Sequence, residues 1–173
     1  PGRRRRKKKN KQMPDLPVAD SSPIISFARA KKPYLIQKIC NKLIIPPAVY
    51  DEIVVTGKGK PGAEEIKKAS WISVRKPRNQ IEVEKLGRQF DRGESEAIIL
   101  AEELKAILLA DERIIIKEAR IRNLQIISTH LILIEARRKN LIKNLRKELD
   151  ELIATGFRTT PELIKETLKK AGE

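Results

Sequence analysis

Two apolar runs of this 173-residue chain end directly in a carboxylate, Val18-Ala19-Asp20 and Ile107-Leu108-Leu109-Ala110-Asp111. Two further acids sit at comparable boundaries. Glu52 follows Asp51 in the segment after Leu43-Ile44-Ile45, and Glu94 stands three residues after Asp91 at the start of a helical pattern. Four carboxylates gathered without a counter-charge would repel one another and raise their own pKa values. A fold that collects them therefore needs a hard divalent cation, and all-oxygen ligation points to Mg²⁺ or Mn²⁺. The chain holds one His and one Cys, which excludes a structural zinc site. A nucleophilic triad would have to be built on His130 alone, behind Ser128-Thr129 at a helix start, and is set aside.

Each acid also has a purely local reading. Asp20 before Ser21-Ser22-Pro23 is a turn or cap residue, and Glu52 is a solvated helix position. Asp91-x-x-Glu94 is a capping arrangement. Asp111 is a cap for a helix running from Glu112. Convergence of the four in space is what separates the chemical reading from these.

The elements that must position them follow from periodicity and breakers. Leu16 to Ala19 reads as a short strand, and Ser21-Ser22-Pro23 as a hydroxyl cap opening a helix through Ala30. Pro33 opens a second helix, residues 43–45 form a buried strand, and Pro46-Pro47 start another helix through Val55. Residues 57–62 are a basic loop, residues 63–69 an amphipathic helix, and residues 71–75 an edge strand. A polar stretch then leads to Gly87. From Asp91 the chain alternates helix, strand (107–110), helix and strand (125–128), and three helices close it, Gly156 stopping the penultimate one. Short apolar strands alternating with helices specify a parallel sheet covered on both faces. In such sheets ligands bind beyond the carboxyl ends of the strands, and neighbouring strands about 4.8 Å apart would bring Asp20 and Asp111 together. No glycine occurs from 94 to 155, so the turns of that half must use Asn, Ser or Asp.

Lys and Arg total 38 against 23 Asp and Glu, a net charge of +15. Eight of the basic residues (Arg3, Arg4, Arg5, Arg6, Lys7, Lys8, Lys9 and Lys11) lie in residues 1–12 without an acid, leaving 30 basic against 23 acidic residues, still +7. Such a block cannot fold alone. It reads as a nucleic-acid-binding arm, a targeting or membrane-surface tag, or a solubility tag. The basic remainder favours the first, with affinity directed at phosphates rather than bases. Residues 1–13 are expected to form the arm and 14–173 one domain, helical over 130–173. Aromatics are only 3% of the chain, so the core is aliphatic. No apolar run reaches the ~18 residues of a membrane span. Cys40 is alone, which excludes an internal disulfide framework, so a soluble cytoplasmic protein is expected.

The segments VADSSPIISFARA, IIPPAVYDEIVVTGKGKPGAEEIKKASWISV, DRGESEAIILAEELKAILLADER and the C-terminal LIKNLRKELDELIATGFRTTPELIKETLKKAGE together resemble the PIN-domain family, most of all its prokaryotic branch related to VapC-type toxin ribonucleases. The resemblance spans about residues 16–173 and lies in the order and context of the acids. It implies a three-layer α/β fold with a central parallel sheet of four or five strands flanked by helices. It also implies Mg²⁺- or Mn²⁺-dependent hydrolysis of RNA phosphodiesters, often by homodimers, with an antitoxin as protein partner in toxin systems. The family pattern matches Asp20 with Ser22, Glu52, Glu94 and Asp111, with Glu96 and Glu112 as rivals for the last two places. On this reading Asp20, Glu94 and Asp111 hold the cation and Glu52 is a ligand or orienter. Ser22 orients Asp20 or a bound water. A metal-activated water then attacks phosphorus in line. Ile114 to Ile116 and His130-Leu131 stand where the family usually carries small residues, and are expected to crowd the site. A non-catalytic RNA- or ribosome-binding protein on the same fold is the alternative.

Overall fold

The computed structural model describes residues 16–173, so the eight basic residues from Arg3 to Lys11 lie outside the described residues. Its centre is a sheet of very short strands: β1 (Val18–Ala19), β2 (Leu43–Ile45), β3 (Ile72–Val74), β4 (Leu108–Leu109) and β5 (Ile126–Ile127). All neighbours are parallel and the order is β3-β2-β1-β4-β5. The strand order reverses at β1, so β1 and β4 flank the switch point, where open α/β sheets leave a crevice. Val18 pairs with Leu108 and Ala19 with Leu109, and the ladder runs on through a bond from the Asp20 amide to the Leu109 carbonyl (3.0 Å).

Strand side chains alternate between two apolar layers, as the period of two requires. Ala19, Leu43, Ile45, Leu109 and Ile127 face one core. Against it pack α1 (Ser21–Arg29), α2 (Pro33–Cys40), α8 (Thr129–Arg138) and α9 (Leu145–Ala154). Val18, Ile44, Leu108 and Ala110 face the other. That layer is closed by α5 (Gln80–Leu86), α6 (Arg92–Leu104) and α7 (Arg113–Ile121). The result is the three-layer α/β arrangement with five parallel strands, as the resemblance implied. The helices α3 (Pro47–Tyr50) and α4 (Ala63–Lys68) flank a π-helical turn, Asp51–Thr56, and α10 (Pro161–Ala171) closes the chain.

Several local readings are corrected. The first helix has Asp20 at its N-cap position, and neither that side chain nor a serine hydroxyl caps it. The helix from Pro47 changes to π winding at Asp51, the turn that carries Glu52. The stretch before Gly87 holds a full helix, α5. Only Val83 and Leu86 of it are buried, too sparse an apolar pattern to read from sequence, and Asn79 caps it by accepting from the Glu82 amide. Glycine-free turns are made by Asn123 and Asn140 with positive φ (57° and 56°), as the composition required. Lys105 (φ 49°) does the same without the short polar side chain that usually eases this conformation.

Candidate active site

The residue carrying most of the site is Asp20. It leaves the central strand into α1, is 2% exposed, and occupies the N-cap position without its side chain capping the helix. Burial pushes its carboxyl up to about 7. The Ser21 amide opposes that shift, and the charges of Glu94 and Asp91 add to it. The Ser22 hydroxyl, expected to orient Asp20 or a bound water, makes no bond to Asp20. That hydroxyl donates to Glu112 Oε1 (3.4 Å), and the Ser22 amide is what faces Asp20.

Glu94 stands beside Asp20 in the first turn of α6. Burial raises its carboxyl, with further repulsion from Asp91, Glu112 and Glu52. It also serves the local role that D-x-x-E allows. Asp91 Oδ1 accepts from the Glu94 amide (2.8 Å) and Glu94 Oε2 accepts from the Asp91 amide (2.9 Å), a reciprocal capping box. Glu52 reaches the same place from the π-helical turn. A Cβ added at Gly93 would lie 3.6 Å from Glu52 Oε2 and 3.5 Å from Asp91 Oδ1, so the bare glycine surface separates the two carboxylates. Gly57 fixes the end of that turn, since a Cβ there would meet the Ile53 carbonyl oxygen at 2.2 Å.

Asp111 is the acid the structure holds back. Its strand is next to that of Asp20, as expected, yet both its oxygens are engaged: Oδ1 accepts from the Thr129 amide (2.7 Å) and Oδ2 from the Thr129 hydroxyl (2.6 Å). Burial raises its pKa against those two bonds, with Glu112 adding repulsion. It therefore tethers the first residue of α8 rather than capping α7, whose N-cap is Glu112. The rival Glu96 is structural. It is 4% exposed and accepts from the Ala48 amide and from Arg92 Nε (2.9 Å each), joining α3 to α6. Glu112 is the rival that does face the site, through Ser22 and Glu94.

The expected four-way meeting is thus corrected to a chain of neighbours. Glu94 and Asp91 act on the Asp20 carboxyl, and Asp91, Glu112 and Glu52 act on Glu94, while Asp111, beside Glu112, turns both oxygens to Thr129. Among the described residues no three carboxylate, imidazole or thiol groups stand close enough to grip one ion. None of these six acids has a Lys or Arg within ion-pair distance among the described residues, although the chain is strongly basic. The fully buried Ser95 hydroxyl, next to Glu94 in α6, has no hydrogen-bond partner there either. In donor chemistry this is an unneutralised, all-oxygen set, which fits a hard divalent cation.

The isoleucines do not block access. Ile115 is buried in the core, Ile114 is half exposed on the wall, and a cleft of about 680 Å³ opens between Ser22, Asp111 and Glu112 and the turn after α9. Sequence reasoning missed Thr129 and the cluster role of Asp91. The legible signal for Thr129 was a hydroxyl at the end of the strand beside the one ending in Asp111.

Residues 16–173 match the family model DUF3368, described as a PIN domain. Among solved structures the chain is similar to a PilT N-terminus domain protein from the hyperthermophilic archaeon Sulfolobus solfataricus P2. Identity is 16% and the TM-score 0.45, over 84% of this chain and 97% of that one. No curated protein matches the sequence.

Proposed function

The chain belongs to the PIN-domain family, a nuclease-type fold, and from that premise we propose that it is a divalent-metal-dependent endoribonuclease hydrolysing RNA phosphodiester bonds. The observation that carries this reading is the buried, uncapping Asp20 at the sheet's switch point, with Glu94 and Asp91 beside it, Glu52 and Glu112 beside Glu94, and no basic partner for any of them among the described residues. Negative charge concentrated in a low-dielectric place costs stability, and a site that keeps it at that cost is a candidate for function. Asp20 and Glu94 would hold the ion, with Glu52 beside Glu94 as an orienter and Asp111 held to the side by Thr129. A bound Mg²⁺ or Mn²⁺ supplies a water of lowered pKa and neutralises charge on the phosphoryl oxygens. The protein's own part is positional. The Ser21 and Ser22 amides face the Asp20 carboxyl, the capping box fixes Glu94, and the π-helical turn delivers Glu52 over Gly93. Ser22 restrains Glu112 at the mouth of the cleft.

The test is RNA cleavage with Mn²⁺ by the parent chain and by Asp20→Asn, with RNA binding measured separately. Cleavage by the parent and its loss of at least about a hundredfold in the variant, binding intact, is the expected result. A parent that binds RNA without Mn²⁺-stimulated cleavage is instead an RNA-binding protein on the same fold. The toxin role belongs to the same reading, and co-expression with an acidic protein encoded beside it should suppress the cleavage.

A further inference from the structure

We propose that the cleft beside the acids, built by α1, α7 and the turn after α9, seats one unstacked nucleotide of a single strand next to the bond to be cut. This rests on the nuclease reading above and adds where the strand lies. Three arginines from three separate elements ring the cleft: Arg29 at the end of α1, Arg113 at the start of α7 and Arg158 after α9. All three are exposed, and none is in an ion pair with an acid among the described residues. Arg92, Arg122, Arg137, Arg138 and Arg146 each have a carboxylate partner; Arg75, Arg78, Arg88 and Arg120 have none among the described residues either, but they do not line this cleft. Guanidinium groups left free beside an acidic cluster are the counter-charge a phosphate chain needs, because the acids alone would repel it.

Between the arginines the wall is apolar, formed by Ile25, Ile114 and Phe157. An exposed isoleucine at the first turn of a helix and a buried phenylalanine in the same cleft offer a base an apolar face that paired bases in a duplex cannot reach. The volume, about 680 Å³, falls within the roughly 300–1,000 Å³ range of small-molecule sites. The wall is also held rigidly. Gly156 takes φ +109°, and a Cβ there would lie 3.4 Å from Arg29 Nη1, so the arginine lies against the bare turn. The Phe157 ring packs 5.5 Å from the ring of His130. His130 is itself fixed between the Thr159 and Thr167 hydroxyls, at 2.8 Å each.

The test measures binding of a short fluorescent single-stranded RNA to the full chain in EDTA, where no cleavage interferes. Replacing Arg29, Arg113 and Arg158 together by Ala should weaken binding about tenfold or more at low salt and shrink the log–log salt slope by about 2. Replacing the exposed Arg75, Arg78 and Arg88, which removes the same charge elsewhere, should change it by no more than about twofold. Ile114→Glu, at an exposed position, should weaken the single strand about tenfold and a duplex of the same sequence far less. In Mn²⁺ the arginine variant should raise KM with kcat nearly unchanged. Equal losses in the two arginine triples, or an Ile114→Glu variant that binds both RNAs like the parent, would overturn the cleft. A parent that binds as described and never cleaves overturns the nuclease reading instead, and leaves the binding result standing.

Discussion

Asp20 holds an N-cap position, the place where an aspartate ordinarily stabilises a helix, yet its side chain caps nothing and its carboxyl is pushed up to about 7 by burial and by Glu94 and Asp91. A side chain kept at such a cost is a candidate for trade between stability and activity. Asp20→Asn keeps the shape and removes the repulsion, so in EDTA the variant should be more stable than the parent by about 1–2 kcal/mol. Thermal unfolding of the two proteins checks this, and a variant that melts lower would mean that Asp20 is an ordinary structural acid. The same scale shows why residue types alone under-determined the site. D-x-x-E at 91–94 specified a capping box and a neighbour of Asp20 at once, and the structure shows both. Asp111 was legible as a strand-end carboxylate. The hydroxyl that draws it aside comes from Thr129, 18 residues on, and only the pairing of β4 with β5 brings that group across. Glu96 and Glu94 look equivalent in the sequence. Helical phase separates them, turning Glu96 towards the Ala48 amide and Glu94 towards Asp20.

At the level of elements, the apolar strands and the helix starts at Pro33, Pro47 and Asp91 were readable because each carries a strong local signal. Helix α5 was not, because its two buried residues are outnumbered by polar ones, and the π winding at Asp51–Thr56 has no composition of its own. The C-terminal helices show how one side chain ties elements together. His130, on α8, donates from Nδ1 to Thr167 of α10, since the Thr167 hydrogen is given to the Leu163 carbonyl (2.6 Å), and its Nε2 accepts from Thr159. This network assigns the neutral ring with its proton on Nδ1. Burial lowers the His130 pKa below 6.5, and Glu166 opposes that shift. The unfolded chain therefore takes up the proton first as pH falls. The stability this ring contributes is present above about 6.5 and is lost as pH falls towards the lower folded value. Compared with His130→Gln in urea titrations at pH 8 and pH 5, the parent should lose more stability on acidification. Parallel losses in both proteins would refute the assignment.

Across the whole molecule the charge is divided rather than uniform. Among the described residues the carboxyl ends of β1 and β4 gather acids without basic partners and the cleft beside them is ringed by arginines without acidic ones, and residues 1–12 add eight more cations to the chain. On the proposed reading, acids for a metal and bases for a polyanion lie side by side without cancelling, and short tethers hold them apart. Ser22 restrains Glu112, Thr129 restrains Asp111, and Gly156 lies beneath Arg29, so that no arginine collapses onto a carboxylate. For the N-terminal block we propose a different task, since a dense run of lysines and arginines would meet phosphates and carry no base readout. Its removal should therefore change affinity and leave selectivity alone. Deleting residues 1–12 should flatten the salt dependence of single-stranded RNA binding by up to about 6 in the log–log slope, at roughly 0.7 per phosphate neutralised. The pattern of cleavage products at saturating RNA should stay the same. Binding and product mapping across a salt series measure both, and a deletion that leaves the slope unchanged would show that the block does not touch nucleic acid, while a changed product pattern would show that it helps to place the strand in the cleft.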